Sequence, residues 1–158
     1  MTFYTVGYEG LDIQDFVALL KKNKIRKLID IRKNPVSRKK GFSKSRLNEA
    51  LLAAGIEYHH FGSLGVPTEW RKKQKAELIT RKKMFSDYVK KILPKEEDTI
   101  NQVIRLGKAR GRAALLCYEE DPLDCHRSLL LEKVQAQHKA KVVHIRRPQK
   151  LERSLMRP

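Results

Sequence analysis

Both cysteines of the chain fall in one short polar stretch, Cys117-Tyr-Glu-Glu-Asp-Pro-Leu-Asp-Cys125-His126-Arg127-Ser128, which brings thiol, imidazole, guanidinium and carboxylates together. Cys125 stands where a helix should begin, next to His126 and Arg127. A helix N-terminus and a neighbouring cation both favour the thiolate, the reactive form of the side chain. Cys125 is therefore the candidate nucleophile, His126 its proton partner, and Glu119, with Asp121 close by, the candidate acid or base. Cys117 closes an apolar run and reads either as a second functional thiol or as a core residue. The same residues admit a structural reading, in which Cys125 packs under the helix and Arg127 pairs with Asp121 or Asp124. A disulfide between Cys117 and Cys125 would be a redox switch, transient in a reducing cell. The spacing matches no common Cys-x-x-Cys zinc motif, even with His59 or His60 added, and the acids and arginine suit a hydrogen-bond network better. No metal and no cofactor is assigned.

Ala113 to Leu116 predicts a buried strand, and Leu129 to Leu131 with Val134 predicts the inner face of a helix, so the polar stretch is a strand-to-helix loop. The rest of the chain alternates in the same way. Thr2 to Val6 is a short strand, followed by a helix with Asp12 as N-cap and Ile13, Phe16, Val17 and Leu20 on one face. Ile25 to Ile31 is the kind of apolar strand that parallel sheets bury. A helix opening near Ser43 or Ser45, with Leu47, Leu51 and Ala54 inward, stops at Gly55, and Ile56 to His60 is the third strand. Lys72 to Leu93 alternates charge with sparse apolar residues and predicts a surface helix. A further helix carries Ile100, Val103 and Ile104 and starts near Pro94 or Lys95. Arg112 to Tyr118 and Lys141 to Ile145 complete five strands.

This order implies an α/β fold, a single three-layer domain over residues 1–146 with a mostly parallel sheet of about five strands. The basic tail, 147–158, shows no periodicity and is expected to be partly disordered. In such sheets ligands bind at the carboxyl ends of the strands. The loops Gly7 to Gly10, Arg32 to Phe42, Phe61 to Pro67 and Glu119 to Arg127 should all emerge there. Arg32, Arg38 and Arg127 can each grip two oxygens of a phosphate or carboxylate, with Asp30 orienting one of them. Asp30 and Arg32 could equally form a buried strand-end ion pair. Tyr8, Tyr58, Phe61 and Trp70 are stacking surfaces for a base or simply core, and Gly7-Tyr-Glu-Gly10 would turn into a helix N-terminus able to meet an anion.

Among 158 residues, 35 Lys and Arg oppose 18 Asp and Glu, leaving a formal charge of +17. Such an excess draws polyanions, and nucleic acid is the expected partner, DNA or RNA unresolved. Lys-rich surfaces that need no ligand usually balance Lys with Glu, and here that balance is missing. With 41% hydrophobic residues the chain can bury a core unaided. The N-terminus lacks the pattern of a signal peptide and no apolar run is long enough to span a bilayer, so a cytoplasmic protein without membrane association is expected. The oligomeric state is open.

Gly7-Tyr-Glu-Gly10, Leu28-Ile-Asp-Ile-Arg32 with Pro35, Ser37 and Gly41-Phe42, Gly55-Ile-Glu-Tyr58 with Leu64-Gly65, and Leu116-Cys-Tyr-Glu119 with Asp121-Pro122 and Cys125-His-Arg127 resemble the prokaryotic family catalogued as domain of unknown function 488. The resemblance runs over about residues 3 to 145. It brings no activity, but it implies that Asp30, Arg32, Cys117, Glu119, Cys125, His126 and Arg127 share one site; separately from the resemblance, Ser37, Arg38, Tyr8 and Gly10 are expected on the anion-binding side. The 71–83 segment looks like an embellishment. A weaker likeness runs to rhodaneses, through Asp30-Ile31-Arg32, Cys117 and Arg127-Ser128, although an acidic loop opposes the thiolate that sulfur transfer needs. The expectation is an enzyme acting on a nucleic-acid base or phosphoester. The alternatives are a non-catalytic nucleic-acid-binding or adaptor module and a rhodanese-like sulfurtransferase.

Overall fold

Strands that are apolar on both faces have to be covered on both faces, and that requirement shapes the protein. The computed structural model describes residues 1–147. Its five strands are β1 (Thr2–Gly7), β2 (Ile25–Asp30), β3 (Glu57–His60), β4 (Arg112–Cys117) and β5 (Lys141–His144). They form one sheet in the order β3-β2-β4-β1-β5, and every pairing is parallel. One face, with Val6, Leu28, Ala114 and Leu116, packs against Phe16, Leu19 and Leu20 of α1 (Ile13–Lys22) and Leu47 and Leu51 of α2 (Lys44–Ala53). On the other face Phe3, Ile29, Ala113 and Leu115 meet Ile100, Val103 and Ile104 of α5 (Glu97–Lys108) and Leu130, Leu131 and Val134 of α6 (His126–Gln137). Two apolar layers on one sheet give the three-layer α/β architecture expected from the alternation.

Local signals explain most boundaries. The Asp12 side chain accepts a hydrogen bond from the Asp15 N–H at 2.8 Å and so starts α1. Gly55, at φ +74°, takes the left-handed position that ends α2. The segment 72–93 departs from expectation. It is not one surface helix but α3 (Thr68–Lys75), a break, then α4 (Arg81–Asp87) running into a wide turn, Tyr88–Ile92. Thr80 restarts the helix by accepting from the Lys83 N–H, and Met84, Tyr88 and Leu93 are buried. The apolar residues were few but large, and each sits where the segment crosses the core.

None of the described helices is long and apolar enough to cross a membrane. Most of the expected tail, 148–158, lies outside the described residues. Arg147, its first residue, is tied down by an ion pair to Glu120 at 3.2 Å.

β1 and β4 stay in register to their ends, where Gly7 faces Cys117. Beyond the sheet the two segments remain bonded, through Glu9 N–H to the Tyr118 carbonyl at 2.8 Å. A Cβ at Gly7 would lie 1.8 Å from the Glu119 carbonyl oxygen. Gly7→Ala is therefore expected to cost about 1–3 kcal/mol of stability by overpacking, read as a lower urea midpoint.

Candidate functional site

An all-parallel sheet places the carboxyl ends of all its strands on one edge, and β4, set between β1 and β2, makes that edge a crevice. A cavity of about 640 Å³ opens there. Cys117, Cys125 and His126 line its interior, Tyr8, Ser37 and Tyr118 stand around them, and Arg32, Lys33, Arg38, Arg71, Lys75 and Arg81 supply positive charge. Glu9, Glu119 and Asp124 are the acidic members. The cavity thus has an acidic edge within basic walls.

At the floor Cys117 and Cys125 are joined as a disulfide, so neither is a free thiol. In this state the sulfur of Cys125, the candidate nucleophile, is already bonded. His126 is buried, and its Nε2 lies 3.0 Å from the Ile31 carbonyl, an acceptor, so Nε2 carries the proton. Nδ1 is then a lone pair, 3.6 Å from the Cys125 sulfur. Burial lowers the His126 pKa to about 4, partly offset by that carbonyl, and the ring is neutral near pH ~7. Tyr88 packs edge-on against it, and burial raises the Tyr88 phenol above its ordinary value. Cys117, Cys125 and His126 offer ligand atoms within 4.8 Å of one another, but the sulfurs are spent on each other. His60 and His59 are turned to the Arg32 carbonyl and to Glu57.

Asp30 and Arg32 form the buried ion pair. Arg32 Nε donates to Asp30 Oδ1 at 2.9 Å and its NH2 to Oδ2 at 2.8 Å. NH1 donates to the Phe42 carbonyl at 2.7 Å and to the Tyr8 hydroxyl at 3.2 Å, while Tyr58 donates to Asp30 Oδ2 at 2.6 Å. Burial works against the Arg32 charge, but the bonds and proximity of Asp30 outweigh it and hold the pKa above its ordinary value. Burial, then Asp30, likewise pushes the Tyr58 phenol up. Most of the Arg32 fork is thus used internally. Glu119 is raised by burial, a shift opposed by its own backbone N–H and by Arg71 and Arg81, and it reaches Arg81 at 3.8 Å. A carboxyl so raised keeps its proton to a higher pH than a solvated one.

A family model described as "Domain of unknown function DUF488" matches residues 12–134. The chain belongs to this family. The match is narrower than the resemblance read over residues 3 to 145: Asp30, Arg32, Cys117, Glu119, Cys125, His126 and Arg127 lie inside it, and Tyr8 and Gly10 outside. No curated protein and no solved structure matches the chain.

In this DUF488 chain Arg32, Cys117, Glu119, Cys125 and His126 line the cavity, whereas Asp30 and Arg127 do not. Ser37 and Arg38 line the cavity, Arg38 exposed, and the Ser37 hydroxyl accepts from the Lys39 N–H. Gly10 sits at φ +79°, and the Arg147 guanidinium lies where its Cβ would be. Arg127 is buried behind the floor and does not line the cavity. Arg71, Lys75 and Arg81, in the stretch read as embellishment, bring charge to the opening. The four-residue spacing of Arg71 and Lys75, which sets both on one helix face, was the available signal.

Two outcomes are expected. Asp30→Ala leaves a buried, unpaired Arg32 and should cost about 3–5 kcal/mol in chemical denaturation. For His126 the folded pKa of about 4 lies below the ordinary 6.5, so between those values the unfolded chain holds a proton that the folded chain lacks. Stability should therefore fall as pH drops through that window, by up to about 3 kcal/mol, and His126→Gln should flatten the limb in denaturation curves taken across it.

Proposed function

We propose that the protein is a thiol-dependent enzyme acting on a nucleic-acid base or phosphoester, and that its working form is the reduced one. The observation that carries this reading is the neutral His126, whose Nδ1 lone pair faces the Cys125 sulfur inside a cavity with basic walls. On reduction Cys125 gains a proton that Nδ1 can accept as the sulfur attacks an electrophilic carbon or phosphorus. The start of α6 favours negative charge on that sulfur. Glu119 supplies a proton to the departing group, and water then cleaves the thio-adduct and restores Cys125. The cationic walls hold the backbone, since each phosphate neutralised by Lys or Arg releases a counterion.

Sulfur transfer fits less well. The loop after β4 turns the Glu119 and Glu120 carbonyls inward onto Arg127, whereas a persulfide cradle needs N–H groups turned onto the sulfur. A non-catalytic nucleic-acid module is favoured by one observation, the internal use of Arg32, and it predicts a different result below.

The test is binding and turnover of short single- and double-stranded DNA and RNA by the reduced chain. Cys125→Ser should abolish turnover while leaving affinity unchanged. Arg71→Glu with Lys75→Glu should weaken binding at least tenfold across sequences and flatten its salt dependence. Binding with no turnover by the unaltered chain would establish the non-catalytic module instead, and no salt-dependent binding would remove nucleic acid as the partner.

A further inference from the structure

Arg127 is a fully buried guanidinium whose partners are all neutral. NH1 donates to the Cys117 sulfur at 3.1 Å and to the Glu119 carbonyl, and NH2 donates to the Glu120 carbonyl at 2.9 Å. Nε has no hydrogen-bond partner at all among the described residues. A buried cation is costly unless an opposite charge accompanies it. The nearby carboxylates are engaged elsewhere: Glu119 and Asp124 with Arg81, Glu120 with Arg147, Asp121 with the Leu123 N–H, and Asp30 with Arg32 and Tyr58. His126 is neutral, the Tyr8 hydroxyl accepts from Arg32, and Arg146 adds a like charge. Burial accordingly lowers the Arg127 pKa, to about 10, although Glu119 and Asp121 oppose the shift.

One group in contact with Arg127 can become an anion. We propose that in the reduced protein Cys117 is a thiolate, ion-paired to Arg127 beneath the cavity, and that Cys125 beside it remains a protonated thiol bonded to His126 Nδ1. The two Cα atoms stand 7.4 Å apart, wider than the ~4.4–6.8 Å usual between bridged cysteines. A dithiol reductant opens the S–S bond and becomes a disulfide itself. Of its two protons one ends on Cys125 and the other is released to water. A thiolate beside Cys125 disfavours a second one, so Cys125 waits protonated until His126 accepts its proton during attack. The inference rests on the thiol reading of the site and gives its two cysteines unequal roles: Cys125 is the attacking sulfur, Cys117 a positioning charge.

Cys125→Ser leaves Cys117 as the one cysteine, and thiolate absorbance then titrates it directly, whether or not a reagent can reach it. The expected transition lies at least two pH units below the ~8.5 of a free thiol. Adding Arg127→Met should return it to ~8.5 or above, and Arg127→Lys, which keeps the charge, should restore part of the shift. In the reduced unaltered chain, alkylation followed by peptide mass spectrometry should show Cys125 ionising above ~8.5. A Cys117 transition at or above ~8.5 in Cys125→Ser overturns the proposal, without needing any Arg127 variant to fold. So does a transition that a folded Arg127→Met leaves in place. A low transition in a chain that turns over no nucleic acid would uphold the ion pair and remove the reaction proposed above.

Discussion

The carboxyl edge is organised by the buried pair of Asp30 and Arg32. Through side chains it reaches Tyr8 beyond β1, Phe42 before α2 and Tyr58 on β3. Through backbone carbonyls the same strand end holds two imidazoles, since Arg32 accepts from His60 and Ile31 accepts from His126. A buried ion pair adds little net stability compared with an apolar substitute, because both charges must first leave water. Its contribution here is positional: one strand end sets the place of every loop around the cavity.

The electrostatics separate into two zones. Arg38, Arg71 and Lys75 are exposed at the opening, where they act at a distance and are screened by salt. Arg32 and Arg127 are buried and act over one or two bond lengths, where the surroundings weaken screening. The outer charges can gather an anion but cannot orient it closely; the inner charges set the state of the groups beneath it. This division lets a strongly basic surface coexist with a floor whose histidine is uncharged.

Much of the fold was legible because its signals are local. Asp12, Gly55 and the apolar blocks of β2 and β4 act within a few residues, and the alternation of strand and helix follows from them. What the chain did not reveal depends on distance. That Arg81 pairs with Asp124 requires α4 to fold back across the loop after β4, and no periodicity encodes that. The break between α3 and α4 was missed because Thr80 caps a helix within a run of charges that reads as continuous. The cysteines were picked out by type and spacing, yet their partners were not: Arg127 was read as an anion ligand or as a salt bridge to Asp121 or Asp124, and it is buried against a sulfur. Gly10 was read as an anion site for the shape of its turn, and only the fold shows a guanidinium already there.

The position of β4 also governs how the protein can be made. β1 and β2 are adjacent in sequence but not in the sheet, because β4 lies between them. A nascent chain that has emerged through β3 can pair β2 with β3, but its β1 has no neighbour until residues 112–117 arrive, and β5 can only then extend the far side. The sheet is therefore closed by a late, long-range insertion, the kind of step that slows folding and leaves apolar edges open while it is awaited. The same strand carries Cys117 at its end, so the interior of the cavity comes into being with that late insertion, and translation of the first two thirds of the chain yields neither a finished core nor a site.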